Sequence, residues 1–172
     1  MILYLIGYMG SGKSTAGSKL ANKIGWDFID LDQEIEKQTG LSISHIFSEK
    51  GEEFFRNLET EYLHALSDRI NIVISCGGGT PCFNNNIDYM NETGHTVYLK
   101  LSVQALKSRL SKSSSKRPLI KDLNDKELHE YIEATLQERE PYYNMAKSKI
   151  DGLSIDLRQL IDHLESQGLY NP

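Results

Sequence analysis

A three-layer α/β/α sandwich on a five-stranded parallel sheet is the architecture this sequence predicts. Short apolar strands alternate with longer helical patterns along the 172-residue chain. The first strand, Ile2-Leu3-Tyr4-Leu5-Ile6, is apolar at every position, as a strand covered on both faces must be. It runs straight into a glycine-rich loop that opens a helix, so a row of backbone N–H groups faces whatever lies beyond the strand end.

The elements follow in order. After the strand at 2–6, a helix at 14–24 stops at Gly25, and Asp27-Phe28-Ile29-Asp30 forms a second strand. Short helices are expected at 32–39 and 43–49 and a long one at 52–69. Asn71-Ile72-Val73-Ile74-Ser75 is a third buried strand, running into Cys76-Gly77-Gly78-Gly79. A helix near 84–92 precedes a strand at 96–101. Then come a helix at 103–110, the Ser/Lys-rich stretch 111–116, a long helix from about 125 to 146, a weak strand at 148–150 and a last helix at 156–167. Right-handed βαβ units follow from this alternation, and ligands bind beyond the carboxyl ends of such strands. The glycine loop, Asp30-Leu31-Asp32 and the glycine triplet all fall there. No linker or repeat divides the chain, so one domain spanning 1–172 is expected.

With 24 acidic against 19 basic residues, the net charge of −5 lacks the basic excess of a nucleic-acid binder. The two cysteines, Cys76 and Cys82, form no Cys-x-x-Cys pair, and the five histidines show no zinc spacing. The apolar opening has no basic flank, and no run approaches the roughly 20 residues of a membrane span. The expectation is a cytoplasmic monomer that engages neither nucleic acid nor membrane.

Gly7-Tyr8-Met9-Gly10-Ser11-Gly12-Lys13-Ser14 fits G-x-x-x-x-G-K-[ST]. The glycines let the backbone curl around an anion, the following helix adds its positive end, Lys13 supplies a mobile charge for β- and γ-phosphates, and Ser14 suits a Mg²⁺ ion. The loop is therefore read as binding a nucleoside triphosphate. No D-x-x-G occurs in the chain, which argues against a regulatory GTPase.

Strand three ends at Ser75 without an acidic residue, so the acid near the metal is expected from Asp30 and Asp32. Period-two alternation would put both carboxylates on one side of the second strand's end; a plainer role for Asp32 is to cap the next helix. Arg56 and Glu59, three apart on a helix, suit either a surface ion pair or an arginine held to grip a substrate anion. Arg117-Pro118, following the Ser/Lys-rich stretch, suits a lid cation for a transferring phosphoryl group or a solvated basic loop. Arg139 has acidic neighbours that also allow an ion pair.

Taken in order, GYMGSGKST, FIDLD, SISHIF, GEEFFRNLE, CGGGT, RPLI and REPYY resemble the shikimate kinase family over nearly the whole chain. The resemblance implies a nucleoside-monophosphate-kinase-like P-loop fold with a mobile lid at about 110–123 and a shikimate-binding region at about 31–60. It implies transfer of the γ-phosphate of ATP to the 3-hydroxyl of shikimate, in aromatic amino-acid biosynthesis. Carried onto this chain, Gly10, Ser11, Gly12, Lys13, Ser14 and Thr15 would bind ATP phosphates. Ser14 would hold Mg²⁺, with Asp30 and Ser75 in its outer shell. Asp32 would bond the shikimate hydroxyls and take the proton. Arg56 and Arg139 would clamp the carboxylate, Gly78 and Gly79 would give backbone contacts, and Phe47, Phe55 and Pro118 would wall the ring. Arg117 would reach the phosphates, with Arg109 on the adenine side. The lid is richer in serine and lysine than in glycine, and the adenine loop of some members is not recognisable at 151–154. A kinase of a sugar acid such as gluconate, and an ATP-binding regulatory module without catalysis, are the competing readings.

Overall fold

The computed structural model describes residues 1–112, 120–153 and 156–171. In chain order the described elements are β1 (Ile2–Ile6), α1 (Lys13–Ile24), β2 (Asp27–Asp30), α2 (Leu31–Thr39), α3 (Ile43–Lys50), α4 (Glu52–His64), β3 (Ile72–Ser75), α5 (Asn86–Thr93), β4 (His95–Lys100), α6 (Val103–Ser111), α7 (Asp125–Tyr143), β5 (Ser148–Asp151) and α8 (Leu157–Ser166). A single 3-10 turn, Thr80–Cys82, follows the glycine triplet.

The five strands form one sheet in the order β2-β3-β1-β4-β5, every pair parallel. Alternation along the strands divides the core into two layers. Ile2, Tyr4 and Ile6 of β1 pack with Ile72, Ile74 and Tyr98 beneath α2 to α7. Leu3 and Leu5 pack with Val73, Val97 and Leu99 beneath α1 and α8. β1 is buried at all five positions, as a central strand between two helix layers requires.

Two helices are shorter than the apolar pattern suggests. α4 stops at His64 rather than reaching 69, because Leu66, Ser67 and Arg69 bond back three residues in tightened turns. Asn71, at φ 56°, then turns the chain into β3. α7 likewise stops at Tyr143, where Met145 and Ala146 bond three residues back.

Register brings the candidate residues together. Ser75 lies opposite Leu5 on one side and Asp30 on the other, at the carboxyl edge of the sheet. At the opposite edge, Ser148 Oγ of β5 sits 2.8 Å from His95 Nε2 of β4 and 2.7 Å from His163 Nε2 of α8, tying the last helix to the sheet.

Candidate active site

The glycine loop wraps with Gly7, Gly10 and Gly12 at φ 139°, 79° and 97°. At Gly10 a side chain is excluded twice over, because its first carbon would also stand 2.9 Å from Leu110. Gly12 caps α1, so that helix's first N–H groups face a cavity of 370 Å³ lined by Lys13, Ser14, Thr15, Asp30 and Ser75. Lys13 is buried, and its Nζ donates to the carbonyls of Gly7 (2.8 Å) and Tyr8 (2.9 Å). Ser11 is wholly buried and does not line the cavity.

Ser14 Oγ donates to Asp30 Oδ2 at 2.5 Å and lies 3.3 Å from Ser75 Oγ. The expected metal-side trio therefore meets in one corner, from α1, β2 and β3. The expected geometry of the two aspartates is corrected. β2 ends at Asp30 and α2 begins at Leu31, so Asp32 stands on a helix rather than on the strand. Asp30, not Asp32, is the cap, accepting the N–H of Gln33. Both carboxylates still line the cavity.

A second hollow, of 130 Å³, adjoins the first and shares Met9, Asp32, Gly77 and Gly78 with it. Ile43, Phe47, Phe55, Arg56, Glu59, Gly79 and Arg139 complete its wall. Arg56 is no surface ion pair. Its side chain is 11% exposed, with NH1 3.2 Å from Glu59 Oε2 and NH2 2.9 Å from Glu52 Oε1, and Glu59 is buried while Glu52 is exposed. Its guanidinium stacks over the ring of Phe83 at 4.3 Å, a partner that the sequence reading missed. Arg139 lies half-buried over the ring of Tyr8 at 5.8 Å, and beside it the Tyr143 hydroxyl donates to the Gly78 carbonyl at 2.5 Å.

Burial, then the negative charges of Glu59 and Asp30, push the Asp32 carboxyl up to about 6, with Lys13 pulling the other way. Burial also raises Glu59, partly offset by the Thr80 hydroxyl and by Arg56. Cys82 is pushed up to about 11 by burial, so its thiol stays protonated at neutral pH and is no nucleophile.

On the far side of the phosphate cavity, a 350 Å³ hollow is lined by Thr15, Arg109, Gly152, Leu153 and Leu157. Arg109 donates to Ser11 O (3.0 Å) and Gly152 O (2.8 Å), joining the glycine loop to the end of β5. Gly152, Leu153 and Leu157 carried no recognisable motif; a glycine just past the last strand was the available signal. Arg117 and Pro118 lie outside the described residues.

The family model described as shikimate kinase matches residues 9–166. A shikimate kinase of Parabacteroides distasonis is 44% identical over 149 residues, covering 87% of this chain and 86% of that protein. The crystal structure of shikimate kinase from Bacteroides thetaiotaomicron superposes with a TM-score of 0.92 at 36% identity, over 96% of this chain and 98% of that one. Shikimate kinase from Acinetobacter baumannii, solved in complex with shikimate, gives a TM-score of 0.85 at 32% identity, over 98% and 92% of the two chains. With its phosphate loop, its buried arginine lining one hollow with Asp32 and this likeness over most of its length, the chain belongs to the shikimate kinase family.

Proposed function

We propose that this chain is an ATP-dependent shikimate kinase, and the observation that carries the reading is the position of Asp32. Its carboxylate stands where the phosphate cavity meets the arginine-lined hollow, so a hydroxyl bonded to it there faces the transferring phosphoryl group. Arg56 and Arg139 supply two guanidinium groups on the other side of that hollow, the grip a small carboxylate needs. The shikimate bound to the Acinetobacter baumannii relative supports shikimate as this acceptor.

The residues divide the work. ATP lies with its phosphates against Gly10 and Gly12 to Thr15, its adenine side towards Arg109, and its terminal phosphate near Lys13. The arginines hold the shikimate carboxylate, while Gly78 and Gly79 offer backbone contacts and Phe47 and Phe55 wall the ring. Asp32 accepts a hydrogen bond from the 3-hydroxyl and takes its proton as the oxygen bonds to the γ-phosphorus. The bond to the bridging oxygen breaks and ADP leaves; positioning and charge do most of the catalysis. Ser14, Asp30 and Ser75 offer only hard oxygen donors, a set that fits Mg²⁺ held through a hydroxyl, one carboxylate and water. When bound, the ion neutralises charge on the phosphates. On the sequence alone, Arg117 adds a further cation and Pro118 a further wall.

ADP release from Mg-ATP, measured without acceptor, with shikimate and with gluconate, tests the reading. Release that depends on shikimate is expected. Release with gluconate alone makes the chain a sugar-acid kinase, and ATP binding without turnover makes it a binding module.

A further inference from the structure

We infer that Thr80 is a positioning residue for the acceptor's carboxylate, acting through Glu59 on Arg56. This rests on the reading in which Arg56 grips that carboxylate. Thr80 is wholly buried and opens the 3-10 turn after the glycine triplet. Its hydroxyl donates to Glu59 Oε1 at 2.5 Å, while Glu59 Oε2 lies 3.2 Å from Arg56 NH1. One carboxylate oxygen is thus held by a hydroxyl and the other by the guanidinium, so the glutamate has little freedom to turn.

The hydroxyl is itself held in place. Thr80 N–H donates to Gly77 O at 3.2 Å, and its carbonyl accepts from Asn86 Nδ2 at 3.0 Å. That same amide lies 3.1 Å from Thr60 Oγ1, which donates to the carbonyl of Arg56 at 2.9 Å. The chain of contacts leaves Arg56 by its backbone and returns to it at its guanidinium, linking α4, the turn and α5 in one closed loop. A side chain built only to pack would not require a polar partner at each step.

The hydroxyl also governs charge. Glu59 faces Arg56 on its own helix, Asp32 from α2, Arg139 from α7, Cys76 from the end of β3 and Cys82 from the 3-10 turn. Burial favours a protonated Glu59; the hydrogen bond from Thr80 favours the ionised form, as do Arg56 and Arg139. A neutral Glu59 would no longer fix the guanidinium electrostatically. Position 80 therefore needs a hydroxyl, and its methyl group is secondary.

The test compares the parent protein with Thr80→Val and Thr80→Ser, measuring the shikimate dissociation constant by calorimetry from pH 5.5 to 8.5, together with KM for ATP. Thr80→Val should weaken shikimate binding roughly tenfold near neutral pH, the effect of one lost hydrogen bond to a charged group. It should also move the acid-side loss of affinity to higher pH and leave the KM for ATP within about twofold. Thr80→Ser should restore both affinity and pH profile. Shikimate affinity and pH profile unchanged in Thr80→Val would overturn the inference, as would a pH-independent loss that serine does not restore. If Thr80→Val does not fold, Glu59→Gln replaces it: weak shikimate binding is expected, and parent-like affinity would overturn the inference. Failure of the parent protein itself to bind shikimate would instead overturn the reading of the site.

Discussion

Asp30 caps the helix whose second residue is Asp32, so one carboxylate stays beside Ser14 while the other lines the arginine-bearing hollow. The carboxyl of Asp32 is lifted from 3.8 to about 6, and in the proposed mechanism it must be ionised to accept the hydroxyl proton. Turnover should therefore fall as the pH drops through about 6. Asp32→Asn should lower kcat by roughly 10²- to 10⁴-fold. Stability should respond in the opposite sense. Between pH 3.8 and about 6 the folded state binds more protons than the unfolded one, so this group's penalty grows as pH rises through that window. Asp32→Asn should raise Tm at neutral pH and bring little gain at pH 4; equal gains at both would contradict the assignment.

Arg56→Ala and Arg139→Ala should each raise the KM for shikimate by about ten- to a hundredfold and leave that for ATP nearly unchanged. The two should differ in thermal denaturation. Arg56→Ala strips the buried Glu59 of its cationic partner and should lower Tm more than Arg139→Ala does. An effect confined to ATP in either variant would contradict the site.

Gly79→Ala isolates the same grip without removing a charge. The added carbon would stand 2.6 Å from Arg56 NH1 and 2.7 Å from NH2, so the guanidinium must leave its place. Shikimate binding should fall by at least tenfold or so, the loss of a charge-assisted contact, while ATP binding persists. Gly78→Ala meets Met9 N at 3.2 Å and Arg139 NH1 at 3.4 Å and should be the milder of the two. Steady-state kinetics on both variants checks the order.

Lys13→Ala should cut turnover by about 10²- to 10³-fold or more while circular dichroism stays native. The lysine already bonds two loop carbonyls, so part of its contribution is to hold the loop in shape. Unchanged activity would sink the kinase reading.

The histidines at the far edge give a separate pH signature. Burial, with Lys147 and His163 nearby, pulls His95 below its ordinary value of 6.5. The unfolded chain then binds protons more readily, so this contribution to stability is full above pH 6.5 and is lost as pH falls below it. His95→Gln should flatten the fall in Tm on acidification relative to the parent; an unchanged slope would show that the ring carries none of it.

Much of this was legible in the chain, for reasons that differ by element. β1 and the glycine loop are local signals: burial on both faces and the need for positive φ can be read from neighbouring residues. The same locality misled at Asp32, because alternation cannot tell that the chain has already turned into a helix once Asp30 caps it. It also overran α4, whose apolar pattern continues into Leu66 although the backbone has tightened into turns. Glu59 and Thr80 are 21 positions apart, and Thr60 and Asn86 are 26 apart. No periodicity carries such pairs; they exist only once the sheet has brought the glycine triplet over α4. Gly152 is joined to the glycine loop through Arg109 in the same way.

Ser148 has one hydroxyl hydrogen, and both of its histidine neighbours approach through Nε2. With both rings neutral and that hydrogen given to one of them, the hydroxyl accepts from the other. One imidazole must then carry its hydrogen on Nδ1 and the other on Nε2. In that arrangement the two rings take opposite tautomers, and neither exchanges without the other. Nitrogen chemical shifts recorded with both rings deprotonated should therefore show one of each, and a Ser148→Ala variant should release both rings to mix freely.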